Sequence, residues 1–538
     1  MRRRASFLAI MAGVAVTVGI GAGSSPATPA VITGTTTQLT TDPAVQTDPS
    51  ISGNVVVYTD QRNGNDDVYF RQIGGSETQV TTSTSPQRLH DVSGSTIVYT
   101  DLKPPIARIH AYDIVTGSDV AVSTGPDQNA RIDGSVVAYE RGSSGATDIW
   151  STNLATGVEQ AVAATAAVEV NPSVDGSRVV FERHAVLGAP GEIAMVDLAT
   201  GQKTTLSSGT GEARRPDIDG DLVVWDVVTA LGETDIVVHN LVTGVTTVVA
   251  QPGNQRLAHV SGDVVSFDDD ASGSPDIGLY HVPTGTVQLI ATEPGVEFLN
   301  DISGNRIVYA SNQAGNFDIW AYDFTVQMPE IAIAPLDVDF GDVNVGTTGT
   351  TIVTVSNVGG APLTVSGAGL APSGTPFALT PAPTLPATIA PGATLDVPIA
   401  FSPTATGLRT ATLTITSDDL DEGTVQVTLA GRGVTSQPPP GQQIADLLAF
   451  FDSSVTAGTL KGNGPGSSAQ GRLKALHNMI EAAGDLIRRG LVVDACQQLA
   501  DARDRADGQP QPPDFVQGSA ATELRQRIEA VRATLGCA

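Results

Sequence analysis

One short segment recurs seven times between residues 49 and 309, each copy a polar turn followed by an apolar strand. The first copy is PSISGNVVVY (49–58) and the last is NDISGNRIVY (300–309). The turn glycines lie 41, 40, 42, 44, 42 and 42 residues apart, at Gly53, Gly94, Gly134, Gly176, Gly220, Gly262 and Gly304. A period of this length indicates a stacked or radial array of supersecondary units.

Each repeat predicts four strands, which is the content of a propeller blade. The apolar second strand ends on an aromatic residue, and the third often begins with an acid and a β-branched residue, as at Asp67-Val68. The last repeat supplies only three strands, while GTTTQLTT (34–41) precedes the first repeat as a fourth strand without a blade. We therefore predict a mainly β fold with a seven-bladed propeller over 31–327, in which the N-terminal strand closes the last blade.

Two repeats resemble a known family. TDQRNGNDDVYF (59–70) and SNQAGNFDIWAY (311–322) are similar to the core motif of TolB-type or PD40-like propeller repeats from bacterial envelope proteins. The resemblance implies the propeller fold and indicates little about function, because propellers include enzymes, binding proteins and scaffolds. TolB itself has six blades and an extra N-terminal domain, and the sequence predicts neither feature here.

The N-terminus reads as an export signal. Three arginines follow Met1, an apolar run extends from Phe7 to about Gly21, and small residues lead to Ala27 or Ala30 as cleavage sites. We predict a signal peptide over 1–30. The run is short for a membrane span, and no later segment of the mature chain is long and apolar enough to cross a bilayer. The expected location is secreted, cell-surface or periplasmic.

Residues 328–434 alternate between polar and apolar positions in Thr-, Val- and Gly-rich stretches, which predicts an immunoglobulin-like β-sandwich. The segment resembles ASH-type modules at four motifs: Asp339-Phe340-Gly341, Val345-Gly346, Asn357-Val358-Gly359 and Ser417-Asp418-Asp419. Such modules generally act as spacers or adhesive units. A proline-rich linker is predicted at 435–443.

Residues 444–538 show helical periodicity and predict a small bundle of four helices. SSAQGRLKAL (467–476) and ACQQLADA (495–502) resemble the FIMAH-type helical module of secreted bacterial proteins. Both cysteines of the chain, Cys496 and Cys537, lie in this segment. Export exposes them to an oxidising environment, so we predict that they form a disulfide.

Charge and motif content narrow the possible functions. The net charge of −28 argues against a nucleic-acid partner, which needs a basic surface. The histidines show no metal-ligand spacing, and no nucleophile elbow or phosphate-binding loop is present. Two acidic runs, Asp66-Asp67 and Asp268-Asp269-Asp270, invite a calcium interpretation but lack the spacing of a calcium loop. We predict that these runs cap loops and that the protein has no cofactor, with bound Ca²⁺ as the alternative.

Propeller topology brings one set of candidate residues together. Basic residues precede the first strand of several repeats: Arg88, His90, Arg131, Arg214, Arg215, Arg256 and His259. Acids follow the second strand in six repeats, and the seventh has Ala310 and Ser311 instead: Asp60, Asp101, Glu140, Glu182, Asp226 and Asp268. Both sets should lie around one mouth of the channel. One interpretation is inter-blade ion pairing and loop capping; the other is a site for an anionic or polar ligand, such as a peptide terminus or a sugar acid.

These features predict an exported, non-enzymatic binding or scaffold protein with a protein or glycan partner at the envelope or outside the cell. The alternative is an extracellular carbohydrate-active enzyme, a glycosidase or polysaccharide lyase, with its site at the propeller mouth and a carboxylate pair such as Asp226 and Asp268. A periplasmic role in an envelope complex, by analogy with TolB, is a third possibility. A catalytic pair should break the repeat, whereas an acid in nearly every blade favours a structural role.

Overall fold

A computed structural model describes residues 30–103, 105–143, 145–207, 211–229, 232–435, 437–509 and 513–537. The predicted signal peptide, apart from Ala30, lies outside the described residues. Three parts follow one another along the chain: seven four-stranded sheets, a two-sheet sandwich and a group of helices. The fold class predicted from the sequence is confirmed. No helix among the described residues is long and apolar enough to cross a membrane.

Six blades take their four strands from consecutive sequence, ordered from the channel outwards. Blades 1 to 3 comprise β2 (Gln46–Ser52), β3 (Val55–Asp60), β4 (Asp67–Gln72), β5 (Glu77–Gln79); β6 (Gln87–Ser93), β7 (Thr96–Asp101), β8 (Arg108–Asp113), β9 (Ser118–Ala121); β10 (Asp127–Asp133), β11 (Val136–Ser143), β12 (Ala146–Asn153), β13 (Val158–Ala163). Blades 4 to 6 comprise β14 (Val168–Asp175), β15 (Arg178–His184), β16 (Gly191–Asp197), β17 (Lys203–Thr205); β18 (Glu212–Asp219), β19 (Leu222–Val228), β20 (Thr234–Asn240), β21 (Thr246–Val249); β22 (Gln255–Ser261), β23 (Val264–Asp269), β24 (Asp276–His281), β25 (Thr286–Ala291).

Blade 7 draws on both ends of the propeller segment. Its inner three strands are β26 (Glu297–Ser303), β27 (Arg306–Ser311) and β28 (Asp318–Gln327), and its outer strand is β1 (Val31–Gln38). β1 pairs antiparallel with β28 over eight residues, from Val31 opposite Gln327 to Gln38 opposite Trp320. The predicted closure of the last blade by the N-terminal strand is therefore confirmed.

The recurring Ser/Asp-Gly pair joins neighbouring blades at six of the seven junctions. The turn glycines have φ between 53° and 57°, a left-handed conformation that favours glycine. In six of the seven junctions the glycine N–H donates to the Ser or Asp that precedes the glycine of the neighbouring blade, as from Gly94 to Ser52 (2.9 Å) and from Gly176 to Asp133 (2.8 Å). The aromatic residues that end the second strands are buried, Tyr58 and Tyr139 completely. The repeat thus encodes both the inter-blade bonds and the inter-blade core.

The TolB-like motif has a local explanation. Asn65 donates its amide to the carbonyls of Ser83 and Ser85, and Asn316 does the same to Asp42 and Ala44. Each asparagine therefore fixes the loop between the fourth strand of one blade and the first strand of the next.

The sandwich consists of a four-stranded and a five-stranded sheet with a shared apolar core that includes Val353, Phe401 and Leu413. Its strands are β29 (Ile331–Ala334), β30 (Asp337–Asn344), β31 (Gly349–Asn357), β32 (Leu363–Ala371), β33 (Phe377–Leu379), β34 (Ala387–Ile389), β35 (Thr394–Phe401), β36 (Gly407–Ser417) and β37 (Thr424–Val434). Two motif residues from the sequence bind backbone: Asn357 donates to Ala361 and Ile389, and Asp419 accepts from the N–H of Ile331.

The C-terminal part contains four helices and two short strands around one apolar core. They are α1 (Pro440–Thr456), β38 (Lys461–Gly462), α2 (Ser467–Arg488), α3 (Val492–Arg503), β39 (Val516–Gln517) and α4 (Ala521–Thr534). α1 begins inside the predicted linker, because proline suits the first turn of a helix. The predicted disulfide between Cys496 and Cys537 is present, with Cα atoms 5.5 Å apart, and links α3 to the end of the chain. A bridge across 41 residues contributes roughly 3–4 kcal/mol in the chain-entropy model.

Candidate functional site

The inner strands of the seven blades surround a cavity of about 440 Å³ in the propeller channel. In each inner strand the residue two before the turn glycine is apolar and buried, as are Ile51 and Val260. The polar residues on either side of it alternate with it, and all of them except Ser52, Ser93 and Ser303 line the cavity. We call the positions three before the glycine the middle ring and those one before it the lower ring.

The middle ring differs from blade to blade: Ser50, Asp91, Arg131, Ser173, Asp217, His259 and Asp301. Its aspartates bind neighbouring blades. Asp91 accepts from the N–H of Ile132 (2.9 Å) and Asp217 from that of Val260 (2.9 Å). Serines of the preceding blades donate to the same two carboxylates, Ser50 to Asp91 (3.0 Å) and Ser173 to Asp217 (2.7 Å). These carboxylates are therefore held rigidly.

His259 lies between two of the carboxylates. Its Nδ1 is 3.6 Å from Asp217 and 3.8 Å from Asp301. Burial disfavours the imidazolium, but the two carboxylates outweigh burial and raise the pKa of His259. Burial raises the pKa of Asp91 to about 6 despite the opposing charge of Arg131. The other histidine of the channel, His90, has its pKa lowered to about 3 by burial and by Arg131, so it is neutral.

We expect the His259→Gln substitution to cost most stability at low pH. Because the folded pKa of His259 is raised, its stabilisation is complete below the unfolded pKa of about 6.5 and is lost as pH rises through the folded value. The difference in melting temperature between wild type and variant should be largest at pH 5.5 and smallest at pH 9. Burial lowers the pKa of His239, so His239→Gln should show the opposite trend. A His259 difference independent of pH would contradict this electrostatic role.

Four of the seven basic residues predicted at the mouth line the cavity: Arg88, His90, Arg131 and His259. The guanidinium of Arg131 donates to the carbonyl of His90 (2.9 Å), and Arg88 is exposed with no ion pair among the described residues.

The other three predicted basic residues do not line the cavity. Arg214 pairs with Glu212 (2.6 Å), Arg215 pairs with Asp226 (2.6 Å), and Arg256 lies opposite Asp268 across the strand pair.

The acids after the second strands separate into two sets. Glu140, Glu182, Asp226 and Asp268 each accept a hydrogen bond from the backbone of the next blade, from Asn171, Arg215, Leu257 and Leu299 respectively. Those four partners have positive φ and sit at β-bulges of the inner strands. Asp60 and Asp101 lie one residue further along the second strand than the other four acids do. Asp60 binds Arg62 (2.6 Å). The acid that follows the second strand is thus an inter-blade cap in four blades, and Asp60 and Asp101 lie outside this set.

The lower ring was not among the predicted site residues. It consists of Ser52, Ser93, Asp133, Asp175, Asp219, Ser261 and Ser303. Asp133 and Asp219 each use one oxygen to accept from the next blade's glycine, and Asp175 pairs with Arg178. Three consecutive blades therefore place carboxylates at this end of the channel. The signal was visible in the repeat, where aspartate replaces serine before Gly134, Gly176 and Gly220.

The cavity lining is strongly acidic. Among the described residues that line it, seven are aspartates and two are arginines: Asp48, Asp91, Asp133, Asp175, Asp217, Asp219, Asp301, Arg88 and Arg131. Five of these carboxylates accept hydrogen bonds from backbone N–H groups and so do not have to reorganise to meet a ligand: Asp91, Asp133, Asp217, Asp219 and Asp301. This arrangement favours a positively charged group over the anionic group considered from sequence.

Outside the channel, the part of the chain that the structure describes contains one group of three carboxylates with an oxygen atom of each within 4.8 Å of the others: Glu330, Asp419 and Asp421. Asp419 is buried and already accepts from the N–H groups of Ile331, Asp421 and Glu422. Its contacts are those of a structural turn in the sandwich.

Comparison with known proteins identifies one part of the chain. Residues 329–432 match the family model of the HYDIN/CFA65/VesB-like Ig-like domain. No curated protein is a significant match for this chain.

Three solved structures with a similar fold each match about half of this chain. They are an oligogalacturonate lyase in complex with manganese (12% identity, 55% of this chain and 97% of that one, TM-score 0.45), the β-propeller domain of the Trilobed protease from Pyrococcus furiosus (12%, 52% and 93%, 0.41) and TolB from Acinetobacter baumannii (15%, 55% and 80%, 0.33). At these TM-scores the likeness supports no conclusion on function.

Proposed function

We propose that this chain is an exported, non-enzymatic binding protein whose propeller channel receives a positively charged group of a protein partner. The group is a lysine or arginine side chain, or a free amino terminus. The observation that carries the proposal is the excess of seven aspartates over two arginines and His259 around a cavity of about 440 Å³. Attraction between unlike charges in such a recess increases both affinity and the rate of encounter.

The size of the cavity favours a side chain over a large ligand. Sites for small molecules span roughly 300–1,000 Å³, so a cavity of 440 Å³ is at the small end of that range. Serine and aspartate oxygens of both the middle and the lower ring are hydrogen-bond acceptors. This suits a guanidinium or ammonium group, which has several N–H donors.

A catalytic role is the weaker proposal. The pair considered from sequence, Asp226 and Asp268, is 0% and 1% exposed and bonded to neighbouring blades. A carboxylate that a substrate cannot contact does not protonate a glycosidic oxygen or activate a water. We therefore propose binding rather than hydrolysis or elimination at this mouth.

The rest of the chain supports a location outside the cytoplasm. The Cys496–Cys537 disulfide suits an oxidising compartment, and the residues before β1 read as a signal peptide. The Ig-like domain and the disulfide-linked helices are modules that separate or attach the propeller. We propose a secreted or envelope location on these grounds.

Titration calorimetry with blocked hexalysine, hexaarginine and hexaglutamate tests the proposal. The two basic peptides should bind and hexaglutamate should not. Raising the salt from 50 to 300 mM should weaken binding at least several-fold, because screening shortens the reach of the carboxylates. Equal binding of all three peptides, or of none, would overturn the proposed function.

A further inference from the structure

The upper edge of a blade, where the second strand ends and the third begins, lies at the opposite end of the blade from the turn glycine. There, the residue seven after the glycine pairs with one residue of the third strand. In six blades that third-strand residue is an acid: Asp67, Asp148, Glu192, Asp235, Asp276 and Asp318. Blade 2 has Arg108 instead, opposite Asp101. This blade therefore breaks the repeat by placing a cation where the other six have a carboxylate.

Arg108 is not used to bind a carboxylate of the propeller. It is exposed and forms no ion pair with any described residue, although Asp101 lies directly across the strand pair. Asp101 instead accepts from the N–H of Lys103 (3.2 Å). The neighbouring blade offers Asp127, whose N–H donates to the carbonyl of the residue before Arg108 (3.2 Å), but its carboxylate is bound by Arg141 (2.7 Å). The guanidinium of Arg108 is therefore available to a ligand.

A second cation shares a recess with Arg108. The recess has a volume of about 250 Å³ and one acid among its lining residues, which are Asp101, Lys103, Pro105, Ile106, Arg108 and His110. Lys103 is exposed and, in the part of the chain that the structure describes, forms no ion pair. His110 already contacts Asp119 through Nδ1 (3.2 Å). Like charges in one recess repel each other, and an anion between Lys103 and Arg108 relieves that repulsion.

Arg88 connects this recess with the channel. It lines the channel cavity from β6, which is two strands away from β8, so the backbones at Arg88 and Arg108 are about 10 Å apart. The charge of Arg88 acts on Asp48 of blade 1, which compensates it in part. Burial, followed by the charges of Arg131 and Arg88, lowers the pKa of His90 to about 3. A band of positive charge thus extends outwards along blade 2 from an otherwise acidic channel.

We propose that the upper edge of blade 2 is a second subsite, in which Lys103 and Arg108 bind a carboxylate of the same partner that places its cation in the channel. This inference rests on the proposed function and adds the kind of partner to it. An extended chain covers about 10 Å in three residues, so the partner is a protein segment with an acid a few residues from its basic group. An ammonium and a guanidinium offer the charge-assisted hydrogen bonds that a carboxylate accepts.

The second subsite acts only together with the channel. An acidic peptide alone gains little from two exposed cations, and it is repelled by a chain with a net charge of −28. A carboxylate that is linked to a cation in the channel is held at a high effective concentration beside Lys103 and Arg108. Hexaglutamate should therefore still not bind, whereas a peptide with both kinds of charge should bind more tightly than one with the cations alone.

Titration calorimetry of the full chain with two blocked peptides tests the second subsite. One peptide joins hexalysine through three glycines to three glutamates, the other has glutamines in place of the glutamates, and each is made in both sequence orders. The net charge of the protein by itself predicts tighter binding of the glutamine peptide. The second subsite predicts the reverse: in at least one order, the glutamate peptide should bind wild type at least about threefold more tightly than the glutamine peptide.

Lys103→Gln/Arg108→Gln should remove this preference for glutamate. The matched control is Lys203→Gln/Lys474→Gln, which alters exposed lysines of blade 4 and α2 and should keep the preference. The second subsite is overturned if hexalysine binds wild type but the glutamate peptide binds no more tightly than the glutamine peptide; the proposed function then stands. The second subsite is also overturned if both double variants lose the preference, or if neither does. If hexalysine does not bind wild type, the proposed function fails and the second subsite fails with it.

Discussion

A chain that begins at Asp42, and so lacks β1, should lose the cooperative melting of the propeller or melt more than about 10 °C lower. β1 provides eight paired residues to blade 7, and the deleted segment contains two buried side chains, Ile32 in β1 and Leu39 directly after it. Losing these contacts and the strand's hydrogen bonds costs on the order of 5 kcal/mol or more. That is comparable with the whole stability of many domains. The deletion also leaves β28 as an unpaired edge, which favours aggregation.

A matched pair of substitutions separates closure from a general effect of the N-terminus. Ile32→Ala removes a buried side chain of β1 and should cost about 3 kcal/mol. Thr33→Ala changes the adjacent exposed residue and should change the free energy of unfolding by less than about 0.5 kcal/mol. Urea unfolding followed by tryptophan fluorescence measures both. Equal stability of the shortened and full chains would contradict closure of blade 7 by β1.

The double substitution Asp133→Asn/Asp219→Asn should weaken binding of hexalysine at least tenfold. It removes two charges from the lower ring, and a tenfold loss corresponds to about 1.4 kcal/mol. The asparagine Oδ1 can still accept from the glycine N–H groups that Asp133 and Asp219 now bind, so the blades should remain joined. Calorimetry should therefore show lost affinity with little change in melting temperature.

The control for that variant removes the same charge elsewhere. Asp342 in the sandwich and Glu481 in α2 are exposed and lie outside the propeller. Asp342→Asn/Glu481→Gln should leave the affinity for hexalysine within about twofold of wild type. If both double variants lose affinity equally, the peptide responds to net charge and the channel has no special role.

Sequence periodicity predicted the blades and their closure because the Ser/Asp-Gly turn and the aromatic residue perform the same task in every repeat. The channel lining was predicted less well. Inner strands contain a bulge at residues such as Asn129 and Leu257, which shifts the register of the residues before it. Arg214 and Arg256 precede this bulge in their strands, and they fall outside the cavity. Asparagine adopts positive φ more readily than most residues, so Asn129 is consistent with a bulge, whereas Leu257 gives no such indication in the sequence.

The repeat pattern also did not predict which side chains bind across neighbouring blades. The sequence showed acids near basic residues at one mouth, and it left open whether they bind one another or a ligand. In the structure, Glu182 and Asp226 bind the backbone of the next blade, whereas Asp133 and Asp219 line the channel and keep one oxygen free of the inter-blade bond. The first two acids follow the aromatic end of a second strand and the other two precede a turn glycine, but neither position by itself indicates whether the carboxylate binds another blade or lines the channel.

Zero-length cross-linking tests the proposed role of the channel most directly. A carbodiimide joins an amine to a carboxylate that it contacts, so mass spectrometry of the hexalysine adduct identifies the carboxylates at the binding site. We expect adducts at Asp133, Asp175 or Asp219, with loss of cross-linking in Asp133→Asn/Asp219→Asn. Adducts confined to exposed acids such as Asp342 and Glu481, with none in the channel, would contradict the proposed binding site.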